Sequence, residues 1–148
     1  MISELQDKDY NQLVKLLFNA EEWEIRAEAA RQIGLKSDGR ATNLLYKALN
    51  KEKDDLVINR IIEAMGRIKD AKATMPIVEF LKKELEKETP DKQRLFVIIE
   101  SLMKLGDKRA LTQLGILYET CEGDIKKLTE EAFSCIDPNW KENIKKND

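Results

Sequence analysis

Ile25-Arg26-Ala27-Glu28-Ala29-Ala30-Arg31-Gln32-Ile33-Gly34 returns, 32 residues on, as Val57-Ile58-Asn59-Arg60-Ile61-Ile62-Glu63-Ala64-Met65-Gly66. Ile25, Ala29 and Ile33 in the first copy, and Ile58, Ile61, Ile62 and Met65 in the second, recur at the spacing of a helix with one buried stripe. The register continues beyond the glycines: Asp38 falls on Asp70, Arg40 on Lys72, Ala41 on Ala73, Thr42 on Thr74, Leu45 on Ile77 and Leu49 on Leu81. Each copy therefore encodes two helices, the second announced by an aspartate.

Outward from this pair the pattern goes on. At a further shift of 37, Ile61, Ile62 and Met65 meet Ile98, Ile99 and Leu102, while Asp70, Lys72 and Ala73 meet Asp107, Arg109 and Ala110. The extra five residues fit near Lys82 to Gln93, and Pro90-Asp91 marks the start of the next helix. Ile125, Ala132, Phe133 and Ile136 make a half copy, and Leu13, Val14 and Leu17 make another upstream. The expected organisation is one domain, 1–148: half repeat 8–20, repeats 22–51, 54–88 and 91–122, half repeat 124–136, and a tail 137–148. The fold class is all-α, a right-handed α-solenoid of antiparallel helix pairs with about eight helices. Asp38, Asp70 and Asp107 are expected to N-cap the second helices, and Gly34, Gly66 and Gly106 to end or closely pack the first ones.

Composition agrees. Charged residues make up 36% of the 148 and hydrophobic residues 42%, with only 6 Gly and 3 Pro, as suits amphipathic helices with solvated faces. A net charge of −2 offers no general attraction to phosphate backbones or anionic membranes. No apolar run approaches the ~18 residues that span a bilayer, and Met1 to Lys8 lacks the basic and apolar regions of a secretory signal, so a cytoplasmic protein is expected. Cys121 and Cys135 fall at opposite ends of a helix pair, roughly 20 Å apart and beyond disulfide reach. They are expected to be two buried, reduced thiols.

The string Ile25-Arg26-x-x-Ala29-Ala30-x-x-Ile33-Gly34 followed by Asp38-x-Arg40-Ala41 resembles the HEAT-like repeats grouped with phycobilisome lyases. Asp70-x-Lys72-Ala73-Thr74-x-Pro76-Ile77-Val78 and Gly106-Asp107-x-Arg109-Ala110-Leu111 are similar to the second half of that motif, and Trp23 stands where the family often carries an aromatic. The resemblance covers roughly residues 8–136. It departs where Ile58 replaces the usual arginine, where Met103 replaces the first glycine of the third unit, and at the insertion.

Chemistry is constrained by what the chain lacks. There is no histidine, which removes Ser-His and Cys-His nucleophile pairs and the usual zinc and di-iron ligand sets. No phosphate loop, nucleophile elbow or Cys-x-x-Cys occurs. Glu84, Glu86 and Glu88, among Lys82, Lys83 and Lys87, read as a solvated helix end. Basic residues are interleaved with acids, so nucleic acid is disfavoured as a partner. The expectation is a non-catalytic protein-protein interaction module with an as yet unidentified protein partner, no cofactor, no metal and no membrane. The alternatives are a lyase or chaperone subunit acting on a bound cofactor, or a nucleic-acid binding protein.

The resemblance implies that the second helices line the concave face, where partners of such stacks lie. By register, the outward positions are Lys15 and Phe18, Asn43 and Lys47, Met75, Glu79 and Lys82, then Thr112, Ile116 and Glu119. Phe18, Met75 and Ile116 are expected to tuck between helices; exposed, they would mark an interface. The tail is expected to form a short helix that docks Trp140 and Ile144 on the last repeat.

Overall fold

A computed structural model describes residues 2–147, with side chains described over 5–143. The regular elements of the described residues are all helices, without a strand. The chain divides into two compact lobes, Met1–Ala73 and Thr74–Asp148.

The N-terminal lobe holds a 3-10 helix Ile2–Asp7, α1 Tyr10–Asn19, α2 Trp23–Lys36, α3 Ala41–Lys51, α4 Asp55–Ile68 and a 3-10 turn Ala71–Ala73. Helix α2 packs chiefly on α4, α1 lies on α2, α3 on α4, and α1 adjoins α3. First helices of the repeat thus form one layer and second helices the other, with α1 against α2 and α3 against α4. Between the layers Leu13, Leu17, Ile33, Leu45, Ile61, Ile62 and Met65 are removed from solvent, each contributing about 1.5–3 kcal/mol by the transfer of its side chain. Small residues let the first helices approach. A Cβ built on Gly34 would come within 2.9 Å of both the Cα and the Cβ of Ala64, so close packing fixes glycine there.

The C-terminal lobe holds α5 Thr74–Leu85, α6 Lys92–Leu105, a 3-10 turn Lys108–Ala110, α7 Leu111–Thr120, α8 Gly123–Ile136 and α9 Trp140–Asn147. Helix α6 packs on α8, α5 on α6 and α7 on α8, with α5 beside α7. Ile77, Leu81, Ile98, Ile99, Leu102 and Leu114 are fully buried. The tail docks as the sequence predicts. Trp140 is buried, stacked on Phe133 with ring centroids 5.0 Å apart and edge-on to Tyr118 at 5.8 Å. Its indole N–H donates to Ser134 Oγ at 3.2 Å. The side chain of Ile144 lies outside the described residues.

The aspartates need a correction. The side chains that cap α1, α4 and α6 are Asp9, Asp54 and Asp91, and Asp9 shares a capping box with Gln12. Asp38, Asp70 and Asp107 instead accept the amides two residues ahead, those of Arg40, Lys72 and Arg109, at 2.9, 3.0 and 3.0 Å. Their own carbonyls accept the amides of Ala41, Ala73 and Ala110. The repeated Asp-x-Arg/Lys-Ala string is therefore a tight corner that turns the chain into the second helix. Asp107 N-caps the 3-10 turn Lys108–Ala110 as expected, whereas the N-cap positions of α3 and α7 themselves, Arg40 and Ala110, make no side-chain cap bond. At the preceding helix ends only Gly106 is left-handed among the three glycines (φ 64°); Ser37 and Lys69 take that conformation in the other two units.

Two further expectations fail. Glu84 is buried, since the chain after α5 folds back over it. Cys135 is exposed and Cys121 half-buried, both as free thiols. The buried stripe of α8 runs through Ile125, Thr129, Ala132, Phe133 and Ile136, which turns position 135 outward.

Candidate binding face

The ten positions assigned to the second helices all lie on α1, α3, α5 or α7. In the N-terminal lobe Lys15, Asn43 and Lys47 are exposed. Phe18 is half-buried, with the Lys51 ammonium 5.8 Å from its ring centroid, a cation-π approach. Tyr46 is also exposed on this layer, beside Lys47. In the C-terminal lobe Glu79, Lys82, Thr112 and Glu119 are exposed. Met75 and Ile116 are exposed as well, at 39% and 49%, contrary to the expectation that they tuck between helices. The core positions of α5 and α7 are already filled by Ile77, Leu81, Leu114 and Leu117, which leaves Met75 and Ile116 on the opposite side of each helix.

Each lobe also has a cleft that the register did not reveal. In the N-terminal lobe, about 310 Å³ opens among Leu17, Phe18, Ala48, Lys51 and Lys53, beside an ion pair between Arg26 and Glu52. Arg26 holds Glu52 with Nε and Nη2 at 3.0 and 3.1 Å, and its Nη1 donates to the carbonyls of Ala20 and Glu21, both at 2.9 Å. The bond to Glu52 raises the Arg26 pKa above its ordinary value, against the opposing effect of burial. The motif's arginine is thus structural: it ties the start of α2 to the end of α3. In the C-terminal lobe, about 460 Å³ lies among Leu85, Pro90, Leu95, Ile116, Cys121 and Ile125. Burial pushes the Cys121 thiol up, which makes it a poorer nucleophile at neutral pH.

The acidic corners carry further displaced ionisations. Asp107 is held down to about 2, first by Arg109, whose Nε and Nη2 lie 3.0 and 2.6 Å from Oδ2 and whose amide donates to Oδ1. Asp38 is lowered likewise by Arg40, and Asp70 by the Lys72 amide. The buried hydroxyls of Thr42 and Thr74 make no hydrogen bond of good geometry among the described residues, yet lie near enough to Asp70 and Asp107 to help keep them ionised. These groups sit at chain corners, where they serve backbone geometry. Among the described residues no three His, Cys, Asp or Glu converge as a metal site, and no helix is long and apolar enough to cross a membrane.

Layered helix pairs with one face of second helices turned to solvent define a helical-repeat scaffold. The family model for HEAT repeats matches residues 10–93, more than half of the chain. The chain belongs to the HEAT-repeat family. HEAT repeats generally mediate protein-protein interaction, on a fold that is typically a non-enzymatic scaffold. Comparison with curated proteins gives no significant match.

Tyr46 and Lys51 are the residues that sequence register passed over. A step of four from Lys47 reaches Lys51 on the same helix face, so helical spacing alone was a sufficient signal for the lysine.

Proposed function

We propose that this protein is a non-catalytic interaction module that holds a partner protein or peptide on the face of its second helices, the concave face of a HEAT stack. The observation that carries the reading is the exposure of large apolar side chains among polar ones, Met75, Ile116 and Tyr46 on second helices. Trp23, Leu35 and Leu56 are exposed on first helices, so the choice of the second-helix face rests on the HEAT resemblance. Large apolar groups set among charges are the usual composition of an interface. The ten outward residues from Lys15 to Glu119 are the proposed contacts, and within the HEAT family the phycobilisome-lyase group is the proposed kin, on the strength of the Ile25–Gly34 and Asp38–Ala41 strings.

Site-specific photocross-linking tests this. A cross-linker placed at Asn43 or Thr112, on second helices, is expected to trap a stoichiometric partner from native lysate. The same group at Arg31 or Arg60, exposed on first helices, is expected to trap none. Traps confined to the first helices would overturn the reading. The double variant Lys47→Glu, Ile116→Asp is expected to release the partner.

A further inference from the structure

Within the N-terminal lobe the two faces differ in charge. Helices α1 and α3, Tyr10–Asn19 and Ala41–Lys51, contain Lys15, Lys47 and Lys51 and not one carboxylate. With 28 Asp and Glu in 148 residues, a stretch of their combined length would be expected to hold about four. The first helices beside them mix signs, with Glu24 and Glu28 among Arg26, Arg31 and Lys36 on α2, and Asp55 and Glu63 among Arg60 and Arg67 on α4. The carboxylates that flank these helices are engaged: Glu52, after α3, by Arg26, and Asp9, before α1, as an N-cap on the Gln12 amide.

The cations are interleaved with aromatic surface. Phe18 lies under Lys51, Tyr46 is exposed next to Lys47, and the 310 Å³ cleft opens at the same end of the layer. Lys47 and Lys51 stand one turn apart, about 6 Å along the axis, which matches carboxylates at i and i+4 on a partner helix.

We infer that the α1/α3 face of this lobe binds an acidic amphipathic peptide segment, whose carboxylates meet Lys15, Lys47 and Lys51 and whose apolar side chain enters the cleft beside Phe18. This rests on the interaction reading above and specifies the chemistry of the partner. Nucleic acid fits less well. Helices α1 and α3 contain no arginine to fork onto a phosphate, and three lysines spaced among aromatic and aliphatic groups supply few phosphate contacts.

The test uses the full chain, isotope-labelled, and three fluorescent probes: an amphipathic helical peptide with Glu at i, i+4 and Leu at i+3, its Lys-for-Glu counterpart, and an oligothymidylate of similar length. The acidic peptide is expected to shift the amides of Lys15, Phe18, Tyr46, Lys47 and Lys51 and to bind more weakly as salt rises. Lys15→Glu, Lys47→Glu and Lys51→Glu together are expected to weaken it about thirtyfold, as the loss of three exposed ion pairs would. Because these lysines are exposed, the variant retains its fold, which circular dichroism verifies. A control that reverses Lys36, Lys104 and Lys127 keeps the affinity. Equal binding of the basic peptide, tighter binding of the oligothymidylate, shifts elsewhere, or no binding overturns the inference. If Asn43 still cross-links a partner while the acidic peptide fails, the interaction reading stands and only the acidic specificity falls. Cross-links restricted to first helices remove both.

Discussion

The carboxylate of Glu84, 2% exposed, accepts the backbone amide of Asp91 at 2.9 Å and so closes the connection between α5 and α6. The same group receives the Lys87 ammonium at 2.9 Å and lies 3.7 Å from the Arg94 guanidinium. Glu84→Ala withdraws the acceptor from all three. A loss of about 3 kcal/mol is expected in urea unfolding, with Glu84→Gln losing less because its carbonyl still serves Asp91. An alanine variant as stable as the parent would show that the connection holds itself.

Two glycine substitutions should move in opposite directions. Gly34→Ala drives a methyl into Ala64 backbone at 2.9 Å, and an expected cost of ~1–3 kcal/mol exceeds the ~1 kcal/mol that alanine contributes to a helix. Gly115 on α7 has open space where a Cβ would stand, so Gly115→Ala should stabilise by up to ~1 kcal/mol. Melting temperatures of the two variants decide it, and a shift of the same sign in both would count against the packing account.

The acid corners set a pH window. Asp107 is at about 2 when folded, against ~3.9 unfolded. Its depressed pKa therefore contributes stability that is present above about pH 4 and is lost as pH falls toward 2. Asp107→Asn is expected to destabilise at neutral pH by ~1 kcal/mol or less, since solvent screens the pair. The gap between variant and parent should close by about pH 2, measured as urea midpoints across the range. A gap that persists unchanged in acid would mean that Asp107 acts by shape alone.

Thiol chemistry separates the two cysteines. Cys135 is exposed, whereas burial raises the Cys121 pKa. A disulfide reagent is expected to modify Cys135 in a fast phase and Cys121 in a slow one, with Cys135→Ser abolishing the fast phase. Loss of the slow phase in that variant would reverse the assignment.

Trp140 reports on α9. In a Trp23→Phe background its emission should be blue-shifted, because its ring is stacked on Phe133 and screened from water. A water-like emission maximum in the folded protein would place the indole off its platform.

Much of this was readable in the sequence because it is periodic. The apolar stripe of Ile25 to Ile33 and its echo at Val57 to Met65 specify helices whose partners are their own copies, so pattern and packing coincide. The outward row from Lys15 to Glu119 follows from the same period. What escaped depends on groups brought together by the fold. Asp38, Asp70 and Asp107 have the composition of caps, and only backbone geometry reveals that they close the turn before the α-helix, Asp107 by capping a 3-10 turn. Glu84 sits in a charge-rich string with the composition of solvated surface; its burial arises when the inserted residues double back onto it. Phe18, Met75 and Ile116 were ambiguous since apolarity alone does not say which side of a filled core a residue meets. Cys135 was within reach, since one step past Ser134 from the buried Phe133 turns a helix away from its neighbours.

The corners carry one more consequence. Their bonds join residues two or three apart in sequence, so almost no chain entropy is spent on closure, and each corner can form in an otherwise unfolded segment. Adjacent helices then meet over short separations, which is the condition for low contact order and rapid assembly. As the polypeptide leaves the ribosome, α1 and α2 can pack as soon as Lys36 emerges, and α3 and α4 then add to a surface already in place.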